Sequence, residues 1–133
     1  MRRSNRGFTL IEIMIVIAII GIVITIGYPS LTEYMKKGRR ADAAGLLTEQ
    51  AQILERFYSK SNLYTGATGL STGNDFYTIT PTLTDQTFLL TAVRKAGTAM
   101  AGDKCGDFTI TNTGIRSMVN ATAGLTTKDC WGR

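Results

Sequence analysis

One carboxylate stands alone in the opening stretch of this chain. Between Phe8 and Tyr28 the sequence FTLIEIMIVIAIIGIVITIGY carries a single ionisable side chain, Glu12. An acid in such company costs on the order of a few kcal/mol if it enters a bilayer, and simple anchoring gains nothing from it. It is a charge in need of a cation, and no Lys or Arg lies within reach on its own apolar helix. The other groups with chemical reach are Cys105, Cys130 and a scatter of lysines and arginines. Histidine is absent. Without it, and with only two cysteines, the usual zinc clusters and His-based nucleophile systems have no residues to use. No clustered carboxylate pair or metal-ligand spacing takes their place, so we expect no enzyme, no metal and no cofactor.

The element that must position Glu12 is a helix. About twenty apolar residues at 1.5 Å rise per residue match the roughly 30 Å hydrocarbon core of a bilayer. Arg2, Arg3 and Arg6 precede the run with no acid among them. That bias keeps the N-terminus cytoplasmic and sends the remainder outward. A cleaved signal peptide fits poorly, since the run is longer than the usual apolar region and Gly27-Tyr28-Pro29 leads into more helix instead of a small-x-small cleavage site. A plain signal anchor leaves Glu12 without a purpose.

The residues Arg6-Gly7-Phe8-Thr9-Leu10-Ile11-Glu12 closely resemble the class III leader junction of type IV pilins. The resemblance implies that a dedicated membrane peptidase cuts between Gly7 and Phe8 and N-methylates Phe8. Residues 1–7 are then the leader, and Glu12 is the fifth residue of the mature chain. The freed Phe8 amine supplies the missing cation. Glu12 can pair with that amine on a neighbouring subunit inside a low-dielectric bundle, or with its own. Both pairings need the cut.

Residues 8–28 therefore read as a membrane-spanning and filament-core helix. Ala18 and Gly21 form a short small-residue seam suited to helix packing. Pro29 removes one backbone donor and disfavours helical geometry at Tyr28, so a kink, or a melted turn when helices are repacked, is expected there. In type IV pilins a proline at this place is associated with unwinding inside filaments. Residues 29–58 continue the helix. Leu47, Ala51, Leu54 and Tyr58 recur at helical spacing, with Leu46, Ile53 and Phe57 on the adjoining stripe. We expect a projecting helix to about Gly45 and a sheet-covered helix after it. Lys36, Lys37, Arg39 and Arg40 cluster in the first part. They face anionic headgroups, acids such as Glu33 and Asp42 on adjacent subunits, or water.

Residues 59–133 hold a loop and a sheet. Lys60 to Asp75 is rich in Gly, Ser, Thr and Asn and contains no phosphate cradle. Glu55-Arg56-Phe57-Tyr58 through Asn62, Tyr64 and Gly66 resembles the helix end and following loop of the PilE-like branch of the family, which contains minor subunits. FYTIT (76–80) and TFLLTAV (87–93) read as strands around a turn at Pro81–Asp85. DFTIT (107–111) and GIRSMV (114–119) flank the turn Asn112-Thr113-Gly114. In the third strand Phe108 and Ile110 should face the helix while Thr109 and Thr111 face away. The expected class is α+β: a type IV pilin fold whose long helix packs by its second half on a four-stranded antiparallel sheet. If the domain folds outside the cytoplasmic membrane, a Cys105–Cys130 disulfide is favoured over two free thiols. In the family such a pair bounds a variable surface region, which here would contain Arg116 and Lys128.

The net charge is +5, but without Arg2, Arg3 and Arg6 it is 12 Lys+Arg against 10 Asp+Glu, or +2. That is too weak alone to argue for nucleic acid. The resemblance implies a structural subunit that waits in the bacterial inner membrane with its C-terminal domain in the periplasm. It is processed by the prepilin peptidase/N-methyltransferase and moved by the assembly platform into an extracellular pilus of major and minor subunits. Such pili serve motility, adhesion or DNA uptake. A minor pilin is expected; the alternatives are a major pilin, a type II secretion pseudopilin, against which the cysteine pair speaks, and a DNA-binding competence pilin. For DNA capture the candidate groups are Lys60, Arg94, Lys95, Lys104, Arg116 and Lys128, whose scatter in sequence forms no stripe and reads equally as solvated charge.

Overall fold

The computed structural model describes residues 6–132; Met1–Asn5, with Arg2 and Arg3 of the expected leader, and Arg133 lie outside the described residues. Six elements follow in order: helix α1 (Leu10–Ser61), strands β1 (Tyr77–Leu83), β2 (Phe88–Arg94), β3 (Asp107–Thr111) and β4 (Arg116–Val119), and a short helix α2 (Thr127–Trp131). They belong to two compact units, one reaching to Met35 and the other starting at Lys36.

In the first unit every described residue as far as Leu31 is exposed. By length and composition this part of α1 can cross a membrane, and none of its most apolar window is buried. The helix opens on a Thr-x-x-Glu pattern. The Thr9 N–H and hydroxyl donate to Glu12 Oε2 at 2.7 and 2.9 Å, while the Glu12 N–H returns a 3.3 Å bond to Thr9 Oγ1. These are the reciprocal bonds of a capping box, which satisfy donors that the first helical turn leaves open. Pro29 lies inside α1, and the helix is not interrupted there. The missing Pro29 donor deprives only the Thr25 carbonyl of its ladder bond, and Thr32 Oγ1 ties the next turn to the Tyr28 carbonyl at 2.9 Å.

The second unit is built on four antiparallel strands in the order β1-β2-β3-β4, a meander in which each strand pairs with its sequence neighbour. Its core joins Ala43, Leu47 and Leu54 of α1 to Tyr77, Ile79, Leu90, Ala92, Phe108 and Ile110 of the sheet. The buried helix positions are Arg40, Ala43, Leu47, Gln50 and Leu54, alternately three and four apart, so one stripe of α1 faces the strands. Cover therefore begins at Arg40, ahead of the expected boundary at Gly45. Buried Gln50 secures the loop, its Oε1 accepting from the Ser71 N–H at 2.7 Å.

One strand expectation needs correction. β1 continues through Pro81 to Leu83, where a turn was expected from Pro81. The Ile79 N–H donates outward to the Thr72 carbonyl and the Tyr77 carbonyl accepts from Asn74. Odd-numbered residues of this edge strand thus turn their backbone groups away from β2, and Pro81 occupies one such position without removing a ladder bond. The turn follows at Thr84–Thr87. In β3, Phe108 and Ile110 join the core with the helix as expected, while Asp107 and Thr109 on the other face are buried too. The strand lies between β2 and β4, and the Thr109 side is flanked by Thr91 and Ser117. At its start Gly106 has φ +68°, and a Cβ there would sit 2.2 Å from the Val119 carbonyl oxygen, so only glycine fits.

Candidate functional site

Two places carry the groups singled out by their chemistry. The first is the start of α1. Gly7 and Phe8 precede the helix in exposed, non-helical backbone. Four residues past that junction, Glu12 faces out of the isolated chain with its hydrogen bonds to Thr9. The sequence argument sought a cation for Glu12 and overlooked this local partner, although Thr-x-x-Glu was there to be read.

The second place is the C-terminal end of the second unit. A disulfide joins Cys105, just before β3, to Cys130 in α2, with Cα atoms 5.7 Å apart. Thr126 caps α2: its N–H and hydroxyl donate to Asp129 Oδ2 at 2.7 and 2.8 Å, and the Asp129 N–H donates to Thr126 Oγ1 at 3.3 Å. These bonds, the backbone one first, hold the Asp129 carboxyl below its ordinary value. Trp131 follows Cys130 into the core. Its ring stands edge-on to Phe108 at 5.4 Å and its indole N–H donates to the Ser117 carbonyl at 3.0 Å. A cleft of about 270 Å³ opens beside it, lined by Lys37, Arg40, Ala41, Asp129, Cys130, Trp131 and Gly132.

The fold sorts the candidate cations into two classes. Arg94 is held by the sheet: its Nε donates to Asp107 Oδ1 at 3.1 Å and its NH1 to the Asp103 carbonyl at 2.8 Å. Its backbone N–H also reaches Asp107 Oδ1, at 2.9 Å. Lys95 stands just beyond β2, half-buried, and Lys60 is exposed in the last turn of α1. The other three lie beside the disulfide and Trp131. Lys104, beside Cys105, and Lys128, two residues before Cys130, both act on the Asp129 carboxylate and help the Thr126 bonds to lower it. The Arg116 guanidinium lies 5.2 Å over the Trp131 ring. Lys37 lines the cleft from α1.

The basic cluster 36–40 is likewise divided. Arg40 is 2% exposed and forked onto Asp103, with Nε to Oδ2 at 2.8 Å and NH2 to Oδ1. Burial alone would raise the Asp103 carboxyl, but the guanidinium outweighs it and holds the group below its usual range. Arg39 covers the Phe76 ring at 4.1 Å. Arg40 is thus an internal ion-pair partner, unlike the headgroup, neighbour-subunit or solvated charge expected of the cluster. Two residues of this region went unread: Asp103, whose burial no local pattern announces, and Trp131, whose position beside a cysteine was an available signal.

Known families match the start of α1 and the second unit as far as β3. The N-terminal methylation motif of prokaryotes matches residues 2–28, and the family described as "Type IV minor pilin ComP, DNA uptake sequence receptor" matches residues 29–109. The chain belongs to the type IV pilin family. Among curated relatives, fimbrial protein EcpC of Eikenella corrodens is 36% identical over 64 residues, covering 48% of this chain and 42% of that protein. The major pilin PilA of Myxococcus xanthus is 38% identical over 60 residues, 45% of this chain and 27% of that one. The matched stretch thus spans less than half the length of these relatives. A type IV pilin from Shewanella oneidensis is 34% identical, with a TM-score of 0.53 over 68% of this chain and 98% of the other. The minor pilin PilV of Neisseria meningitidis is 22% identical, with a TM-score of 0.57 over 70% and 98%, and shares the fold. Type IV pilins are structural subunits, not enzymes.

Proposed function

We propose that this pilin is a minor subunit of a type IV pilus and that its C-terminal unit captures DNA at the fibre surface. The observation that carries the reading is the match of residues 29–109 to a minor-pilin family described as a DNA uptake sequence receptor. Basic side chains on the second unit are compatible with it: Lys37 lines the cleft beside Trp131, and Arg116 lies over the Trp131 ring.

The chain is inserted in the inner membrane through residues 8–28, with the C-terminal unit in the periplasm. The prepilin peptidase cuts between Gly7 and Phe8 and methylates Phe8, and the assembly platform moves the subunit into the fibre. There the exposed apolar helix is buried among its neighbours and Glu12 pairs with a Phe8 amine. The test is deletion of the gene in the native host. Pili should remain abundant in sheared preparations while uptake of duplex DNA falls. Loss of all pili would make this the major subunit, and undiminished uptake would remove the DNA role.

A further inference from the structure

We propose that the groove between the second half of α1 and the β3–β4 turn is a binding site for a neutral saccharide unit. The groove is separate from the cleft beside Trp131, and the inference does not rest on the DNA-capture reading. Gln52 and Glu55, three residues apart and so on one face of α1, supply one side. Asn112 of the turn supplies the other, and buried Phe88 and Ile110 lie beneath. The enclosed volume of about 320 Å³ is at the lower end of small-molecule sites, which run from about 300 to 1,000 Å³.

Three features of the groove point to a sugar. First, its polar groups are free to bind one. No side-chain hydrogen bond engages Gln52 or Asn112 among the described residues. An amide offers donors and an acceptor together, which suits a sugar hydroxyl, itself both donor and acceptor. Glu55 accepts from the Tyr64 hydroxyl through Oε1 at 2.9 Å, leaving Oε2 for a second hydroxyl. Second, charge selects the class. Glu55 is the only charged side chain in the lining, so phosphate and sulfate are repelled. The apolar floor gives an ammonium nothing to replace its water, whereas it covers the C–H face of a sugar ring. Strand addition by a peptide is closed as well, since β3 is paired on both edges by β2 and β4. Third, the walls are already in place. The Asn112 N–H donates to the Phe88 carbonyl at 3.2 Å and the Gly114 N–H to the Thr111 carbonyl at 2.9 Å, while the Ile115 N–H reaches Thr111 Oγ1 at 3.2 Å. Tyr64 stands edge-on to Phe88 at 5.0 Å. Groups so held lose little freedom when a ligand arrives.

The test uses the full-length chain in a sugar-free zwitterionic detergent. Its methyl protons are saturated, and transfer to glucose, galactose, N-acetylglucosamine and N-acetylgalactosamine is recorded by NMR. At least one of these sugars should receive saturation and titrate to a single Kd. Gln52→Ala and Asn112→Ala should each raise that Kd about fivefold, the loss of one neutral hydrogen bond. Both variants should keep the wild-type unfolding midpoint, because neither amide ties the fold together. Thr80→Ala, exposed on β1, should leave the Kd unchanged. Transfer to none of the four sugars overturns the proposal, as does a Kd that neither groove variant alters. Tighter binding of glucosamine or glucose 6-sulfate than of glucose overturns the neutral class. Loss of both variants from fibres, with no sugar bound by the wild type, makes the groove a contact between subunits and overturns it too.

Discussion

At the scale of single residues, the least replaceable interaction is the fork of Arg40 on Asp103. Both side chains are almost wholly removed from water. Truncating one partner strands a buried charge, at a cost of about 3–5 kcal/mol. Arg40→Ala should therefore lower the denaturant midpoint far more than Lys37→Ala one turn earlier. The pairing also sets a pH dependence. Because the folded Asp103 carboxyl lies below its ordinary value, its contribution is complete above the unfolded carboxylate range near pH ~3.9. It is lost as pH falls through the lower folded value. Urea titrations of the wild type at pH 7 and pH 3 should show a drop that Arg40→Ala reduces; an equal drop in both would assign acid sensitivity to other groups. Sequence alone did not give this pair. Arg40 reads as one of four clustered cations, and only the tertiary fold shows which of them meets an acid 63 residues away.

At the scale of elements, helix α1 and the sheet were legible because their patterns are local. Leu47 and Leu54 announce the buried stripe by spacing, and the β-branched and aromatic runs announce four strands. Pro81 misled because its effect depends on which edge its missing donor faces, a property of register. The α2 helix went unread because five residues carry too little periodicity. Its capping box and disulfide hold it in place. Cys130→Ser should consequently act on one element. On the chain-entropy model, opening a loop of 25 residues costs about 3–4 kcal/mol. Release of Trp131 from Ser117 and Phe108 should appear as a red shift of the sole tryptophan's fluorescence before the sheet unfolds. If emission is unchanged while stability falls, the bridge acts only through the unfolded chain, and α2 holds by packing.

At the scale of the whole molecule, α1 is entirely exposed through Leu31, an apolar surface that calls for cover; the proposed function supplies it as lipid before assembly and other subunits after it. Glu12 is the residue on which the two environments make different demands. In the unprocessed chain it is satisfied as an acceptor by Thr9, which lowers the cost of waiting in the membrane. In the fibre it is proposed to meet the Phe8 ammonium, which requires its charge. Two substitutions separate these roles. Glu12→Leu removes both, and Glu12→Gln keeps a carbonyl oxygen able to accept from Thr9 while abolishing the ion pair. We expect both variants to reach the membrane, and both to be depleted at least tenfold in sheared fibres, the scale of a ~1.4 kcal/mol loss in assembly. Intact-mass analysis of membrane and fibre fractions measures this directly and reports removal of residues 1–7 in the same spectrum. If Glu12→Gln enters fibres at the wild-type level while Glu12→Leu does not, Glu12 serves as a helix cap, and the ammonium pairing that links processing to assembly falls.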